Sequence, residues 1–140
     1  MASRRAAAPL KSLFPLDLEI TYTVNLERGK VLYTPYNKLI IKIDIDMHFI
    51  SLETANHKLI TSGEYWMDKD KKDMFISDFR TVKEYRNKGY GTFLARVFID
   101  LARLYRCKAV NLTDGSTLEG FWQRLGFEKD DKTNCLVLEL

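Results

Sequence analysis

The run Arg86-Asn87-Lys88-Gly89-Tyr90-Gly91-Thr92 separates two hydrophobic periods, and it constrains the fold more than any other feature of the chain. Before it, apolar and polar residues alternate with the period of strands. After it, Leu94, Val97, Phe98, Leu101 and Leu104 recur at the spacing of an amphipathic helix. A strand over residues 74–82 therefore feeds a helix over 92–105 through a turn with two glycines spaced G-x-G. Such glycines permit a tight turn and close backbone approach to a ligand. The N–H groups that open a helix project at the positive end of its dipole, a geometry that holds phosphate or pyrophosphate. Arg86 and Lys88 add mobile positive charge at the same place. The run predicts a site for a phosphate-bearing cofactor.

The rest of the chain supplies the frame. Residues 18–26 are rich in β-branched and aromatic residues and predict a strand. Glu27-Arg28-Gly29-Lys30 supplies a turn, and a short strand over 31–33 stops at Pro35. Residues 39–50 read as the clearest strand, with Leu39, Ile41, Ile43, Ile45, Met47 and Phe49 on one face and Lys42, Asp44, Asp46 and His48 on the other. Turns at 54–58 and 68–73 flank a strand over 59–67, and with 74–82 these make an antiparallel meander. In the second half, 108–113 is a strand. Residues 116–125 form a helix with Ser116 as N-cap, Glu119 at capping-box distance and Gly126 at its end. Strands follow from Phe127 and over 135–140. The sum is an α/β (α+β) domain, a mixed and mostly antiparallel sheet with a strand-rich N-terminal half and two helices in the C-terminal half. Residues 1–16 read as a basic tail or partner-binding arm, and 17–140 as a single domain.

Composition sets limits. At 140 residues, 46% apolar and 29% charged, the chain can bury a real core. No apolar run approaches the ~20 residues of a membrane span. The net charge of +3 suits an anionic ligand without asking for nucleic acid. Tyr33, Tyr36, Tyr65 and Trp66 read as strand core in preference to base-stacking residues. Cys107 and Cys135 fit no metal or redox spacing, so they read as free, buried thiols of a reducing, cytoplasmic compartment. Arg4, Arg5 and Lys11 surround alanines and lack the apolar core of a secretory signal. His48 and His57 have no companions at ligand spacing, and no metal site is predicted.

Two motifs together resemble a known family. Val82-x-x-Tyr85-Arg86-x-Lys88-Gly89-Tyr90-Gly91-Thr92 is followed by a helix, a strand, a helix and Phe121-Trp122-Gln123-Arg124-Leu125-Gly126-Phe127. This arrangement, over about residues 74–140, resembles the GNAT N-acetyltransferase superfamily. The resemblance implies that backbone N–H groups of Asn87, Lys88, Gly89, Tyr90, Gly91 and Thr92 hold the pyrophosphate of acetyl-CoA. It implies that main-chain groups of Arg80, Thr81 and Val82 hold the pantetheine arm like an added strand, in a gap opposite the strand at 108–113. The implied reaction is attack of an amine on the thioester, with a base for the ammonium and an acid for the thiolate.

The chain departs from the family pattern at several positions. Trp122 stands at the usual tyrosine acid position. Gly115, flanked by Asp114 and Ser116, stands at a frequent asparagine, and Val110 near a glutamate found in some members. The two helices usual between the first and second strands, which commonly wall the acceptor pocket, are missing. Asp78, four residues before Val82, is the candidate base, with Asp114 and Glu64 behind it. Asp114 also reads as a helix-start residue, Trp122 as packing, and Tyr85 and Tyr90 as covers of the loop that could lend a hydroxyl. The expected function is an acetyl-CoA-dependent N-acetyltransferase whose open acceptor side suits a protein or peptide amine. The alternative, favoured by Trp122 and Gly115, is a catalytically weak or inactive CoA-binding or protein-interaction module. An edge strand near the C-terminus could pair across a homodimer.

Overall fold

A computed structural model describes residues 5–11, 19–25, 30–34, 39–44, 47–68, 70, 72–113 and 119–140, with side chains described from residue 39 onward, Glu119 excepted. Strands β1 (Arg5–Lys11) and β2 (Glu19–Asn25) pair antiparallel as a separate ribbon. The main sheet begins with a meander of β3 (Lys30–Thr34), β4 (Leu39–Asp44), β5 (Phe49–Glu53), β6 (Leu59–Asp68) and β7 (Asp73–Thr81). A 3-10 turn (Lys83–Tyr85) leads into helix α1 (Tyr90–Leu104). The chain returns as β8 (Ala109–Leu112), then α2 (Glu119–Arg124), β9 (Glu128–Lys129) and β10 (Leu136–Glu139). Among the described residues the sheet runs β3-β4-β5-β6-β7-β8-β10-β9. Among the described strands only β7 and β8 are parallel, and α1 is the crossover that a parallel pair requires. The mixed, mostly antiparallel sheet with its helices in the C-terminal half is the architecture the sequence predicts. Arg5–Lys11, read from the sequence as part of a basic arm, lie in β1.

The helical stripe explains why α1 lies where it does. Phe93, Leu94, Val97, Phe98 and Leu101 are all fully buried. They meet Ile41, Ile43, Ile50, Leu52, Ile60, Met74 and Ile76 from one face of the sheet. Burying each such side chain contributes about 1.5–3 kcal/mol. Among the described residues no helix is long and apolar enough to cross a membrane.

Three expectations are corrected. The single strand over 39–50 is two strands, with a turn at Met47 and His48. The Asp44 carboxylate accepts the Met47 N–H at 3.0 Å, and His48 takes the left-handed conformation (φ 53°). A side chain that bonds its own backbone competes with the strand ladder, which period-two counting does not register. The turn also resets the phase. Ile50 and Leu52 face the core in place of Met47 and Phe49, and Met47 is 74% exposed. Trp66, read as core, is 46% exposed and stacks on Phe75. Cys107 and Cys135 are free but half-buried. The predicted N-cap Ser116 lies outside the described residues. Gly126 ends α2 as expected, with φ 100°.

Candidate functional site

The site is built where β7 leaves β8. The two strands pair from Asp73 to Ile76 against Ala109 to Leu112, and the Thr113 N–H still reaches the Ile76 carbonyl at 3.1 Å. Beyond that point, among the described residues, no strand pairs with β7 on this side. Its register against β6 slips between Ser62 and Glu64, and Asp78 opposite the slip takes φ 51°. This is a β-bulge, which bends the strand and re-aims the residues after it. Gly63 faces the bulge from β6, and a Cβ there would come within 3.0–3.2 Å of the Phe98 and Phe79 rings.

Hydrogen bonds decide which main-chain groups face the gap. The Val82 N–H donates to the Ile60 carbonyl at 2.8 Å, and the Arg80 carbonyl accepts from Thr61 Oγ1 at 2.8 Å. Both are therefore committed toward β6. Of the three residues expected to hold the pantetheine arm, Thr81 alternates outward, and its carbonyl accepts from Arg86 Nε at 3.0 Å. Phe79, two residues back, shares that orientation. Sequence reasoning passed over Phe79.

The turn takes its shape from two left-handed residues, Asn87 (φ 62°) and Gly89 (φ 87°), the second being the residue before α1. The first intrahelical bond is from the Phe93 N–H to the Gly89 carbonyl at 3.0 Å, so the Gly91 and Thr92 N–H groups have no partner within the helix. A Cβ on Gly91 would lie 3.2 Å from Thr81 Oγ1 and 3.6 Å from the Phe121 ring. Helix start, strand end and α2 thus converge at a position where a Cβ would be tight.

Between them opens a cavity of about 560 Å³, within the range of ligand sites. Its walls include Phe79, Thr81, Tyr85, Tyr90 and Phe121, with Asn87, Gly89, Gly91 and Thr92 along the loop. Arg80, Arg86 and Arg124 also line it, and none of the described lining residues is a carboxylate. Arg80 is paired with Asp78, so Arg86, Arg124 and the helix N-terminus give the cavity a positive character that suits an anion. Lys88 is exposed in the same turn. Arg124 and Phe121 are the other residues not singled out from sequence. Their spacing of three on a helix, beside the glycine loop, was the available signal.

The acid–base candidates fall in different places. Asp78, on the bulge, is half-exposed, and its carboxylate accepts a hydrogen bond from Arg80 Nη2. That bond, with Glu64 nearby, pushes the Arg80 pKa up. Glu64 is exposed on β6 opposite Ser77. Trp122 is 2% exposed and packs against Phe79, Phe121 and Phe127, so it belongs to the core. Asp114 lies outside the described residues. His57 sits 3.3 Å from Glu53 and is not among the cavity-lining residues, and among the described residues no group of three or more His, Cys, Asp or Glu could hold a metal ion.

The sequence matches the Acetyltransferase (GNAT) family over residues 18–127, and the chain belongs to that family. No curated protein matches it. Among solved structures, an acetyltransferase-type protein from Exiguobacterium sp. 255-15 is 19% identical with a TM-score of 0.56, covering 65% of this chain and 61% of that one. Ard1 from Thermoplasma volcanium is 17% identical with a TM-score of 0.56, covering 66% and 70%. The PaiA N-acetyltransferase from Thermoplasma acidophilum, in complex with coenzyme A, is 17% identical with a TM-score of 0.54, covering 66% and 60%. The chain thus spans about three fifths of the length of the Exiguobacterium protein and of PaiA. At these identities the likeness is one of fold.

Proposed function

We propose that this protein is an acetyl-CoA-dependent N-acetyltransferase acting on an amine of a protein or peptide. The observation that carries the reading is the anion-accepting cavity at the split between β7 and β8, floored by a position that a Cβ would fill. The residues fit a CoA group. N–H groups of the turn from Asn87 to Thr92 suit its pyrophosphate, with Arg86 and Arg124 adding charge. The outward Thr81 N–H and the main-chain groups of Phe79 suit the amides of its arm, the Thr81 carbonyl being bonded to Arg86 Nε. Coenzyme A in the PaiA structure supports the same assignment by family.

Acetyl-CoA would supply the acetyl group already activated as a thioester. Asp78, at the bulge, takes the proton of the ammonium directly or through water. The amine nitrogen would then form the C–N bond as the C–S bond breaks, and the second proton it loses would pass through water to the departing thiolate sulfur. No metal enters this scheme. Two free thiols suit a reducing, cytoplasmic setting.

A CoA-binding module without turnover is the second reading. It is favoured by the burial of Trp122 where the resemblance implies a tyrosine hydroxyl. Titration calorimetry with acetyl-CoA and with desulfo-CoA tests the cofactor site, and CoA release across a panel of peptide amines tests turnover. Micromolar binding of both ligands is expected. Absence of binding at millimolar ligand would remove the cofactor assignment. Binding without release of CoA for any amine would leave the second reading.

A further inference from the structure

The strand registers align three rows of side chains across the sheet face opposite the α1 core. One row is Asp44–Phe49–Glu64–Ser77. The next is Trp66–Phe75–Asn111–Val137–Glu128. The third is Asp68–Asp73–Ala109–Glu139. Cross-strand partners share a face, so these side chains form one surface. It holds six carboxylates (Asp44, Glu64, Asp68, Asp73, Glu128 and Glu139) and no lysine or arginine. The chain as a whole carries a net charge of +3, so the charge is segregated. Asp68 stands directly opposite Asp73, and its carboxylate also accepts the Asp70 N–H at 3.0 Å. In the adjoining row on this face, Lys42 and Arg80 are paired with Glu53 and Asp78.

At the centre the Trp66 and Phe75 rings stack at 4.0 Å and 8°, with Trp66 46% exposed. A large half-exposed aromatic pair inside an anionic field is suited to alkyl stems and cationic heads, through apolar contact and cation–π attraction. One further row, ending at Arg80, separates the surface from the cavity that Arg80 lines. Ser77, last in its row, precedes the bulge residue Asp78, after which β7 lines the site.

We propose that this face docks an extended, lysine- and arginine-bearing segment of another protein. Charge complementarity selects that partner. The carboxylates spread from β4 to β9, six strand spacings or about 29 Å at ~4.8 Å each. An extended peptide of about nine residues covers that span. The amine to be modified lies at the Ser77 end, beside the cleft. Only this last step rests on the acetyltransferase reading.

The test is fluorescence anisotropy of a labelled peptide of about twelve lysine, arginine and alanine residues, titrated with the full chain in the absence of acetyl-CoA. Binding that weakens with salt is expected, with about a tenfold loss in Trp66→Ala and a similar loss in the double variant Glu64→Lys, Glu128→Lys. An acidic peptide of equal length should not bind. Equal affinity for the acidic peptide, unchanged binding in both variants, or displacement by spermine at concentrations equal to unlabelled peptide would each overturn the proposal. Calorimetry with acetyl-CoA on the same samples separates the two readings. Peptide binding without CoA binding keeps the docking face and removes the acetyltransferase. CoA binding without peptide binding removes the docking face alone.

Discussion

Replacing Gly91 by alanine separates a cofactor cradle from an ordinary helix start. The new Cβ would lie 3.2 Å from Thr81 Oγ1 and 3.6 Å from the Phe121 ring, so the neighbours must give by a few tenths of an ångström. Thr81 is held, because its hydroxyl donates to Thr61 Oγ1 at 3.1 Å and Thr61 Oγ1 donates to the Arg80 carbonyl at 2.8 Å. Against this stands a gain of about 1 kcal/mol in helix propensity. The two effects nearly cancel, and stability measured by urea unfolding should change by less than about 1 kcal/mol. Binding has no such compensation. A methyl group added to the wall of a fitted site costs roughly 1–3 kcal/mol, which is about 5- to 150-fold in Kd for CoA by calorimetry. Gly120→Ala is the control. Nothing lies within 4 Å of a Cβ there, so it should leave CoA binding unchanged. A Gly91→Ala protein that folds and binds CoA within about twofold of wild type would refute the argument that the backbone must approach the ligand at this position.

Three further outcomes are expected from the same geometry. Trp122→Ala should lose about 3–5 kcal/mol in urea unfolding, since the indole is buried among Phe79, Phe121 and Phe127, and a loss below about 1 kcal/mol would show that it is not core. Arg86→Ala removes both a lining charge and the bond to the Thr81 carbonyl, and should weaken CoA about tenfold in calorimetry while leaving the thermal midpoint nearly unchanged. Asp130 accepts hydrogen bonds from the Thr133 hydroxyl and backbone N–H, which hold its carboxyl below the ordinary value of 3.8. A carboxyl lowered by folding stabilises above its unfolded pKa, and that stability is lost as pH falls through the folded value. The gap in thermal midpoint between wild type and Asp130→Asn should therefore be constant at neutral pH and close below pH 3.8, and a gap that widens on acidification would contradict the sign.

Local chemistry made much of this protein legible in its sequence. The G-x-G turn, the stripe from Leu94 to Leu104 and the glycine that ends α2 each express a rule acting within a few residues, and the α/β frame and loop position follow from them. Asp44 was also a local signal, since its carboxylate ends a strand that period-two counting carried on to Ile50. The rest depended on partners distant in the chain. The commitment of the Val82 N–H to β6 and the turning of Thr81 and Phe79 toward the gap follow from a bulge set by pairing with residues about twenty positions away. Trp122 went to the core because Phe79 and Phe127 enclose it there. Trp66 stayed half-exposed because the core helix α1 packs on the other face. The periods, the turns and the charge near the helix start are properties of single segments, and each can be read without the fold. Which backbone groups are already spent in the sheet, and which carboxylates stand side by side, are properties of strand register. Register is fixed only when distant segments pair, and no single segment specifies it alone.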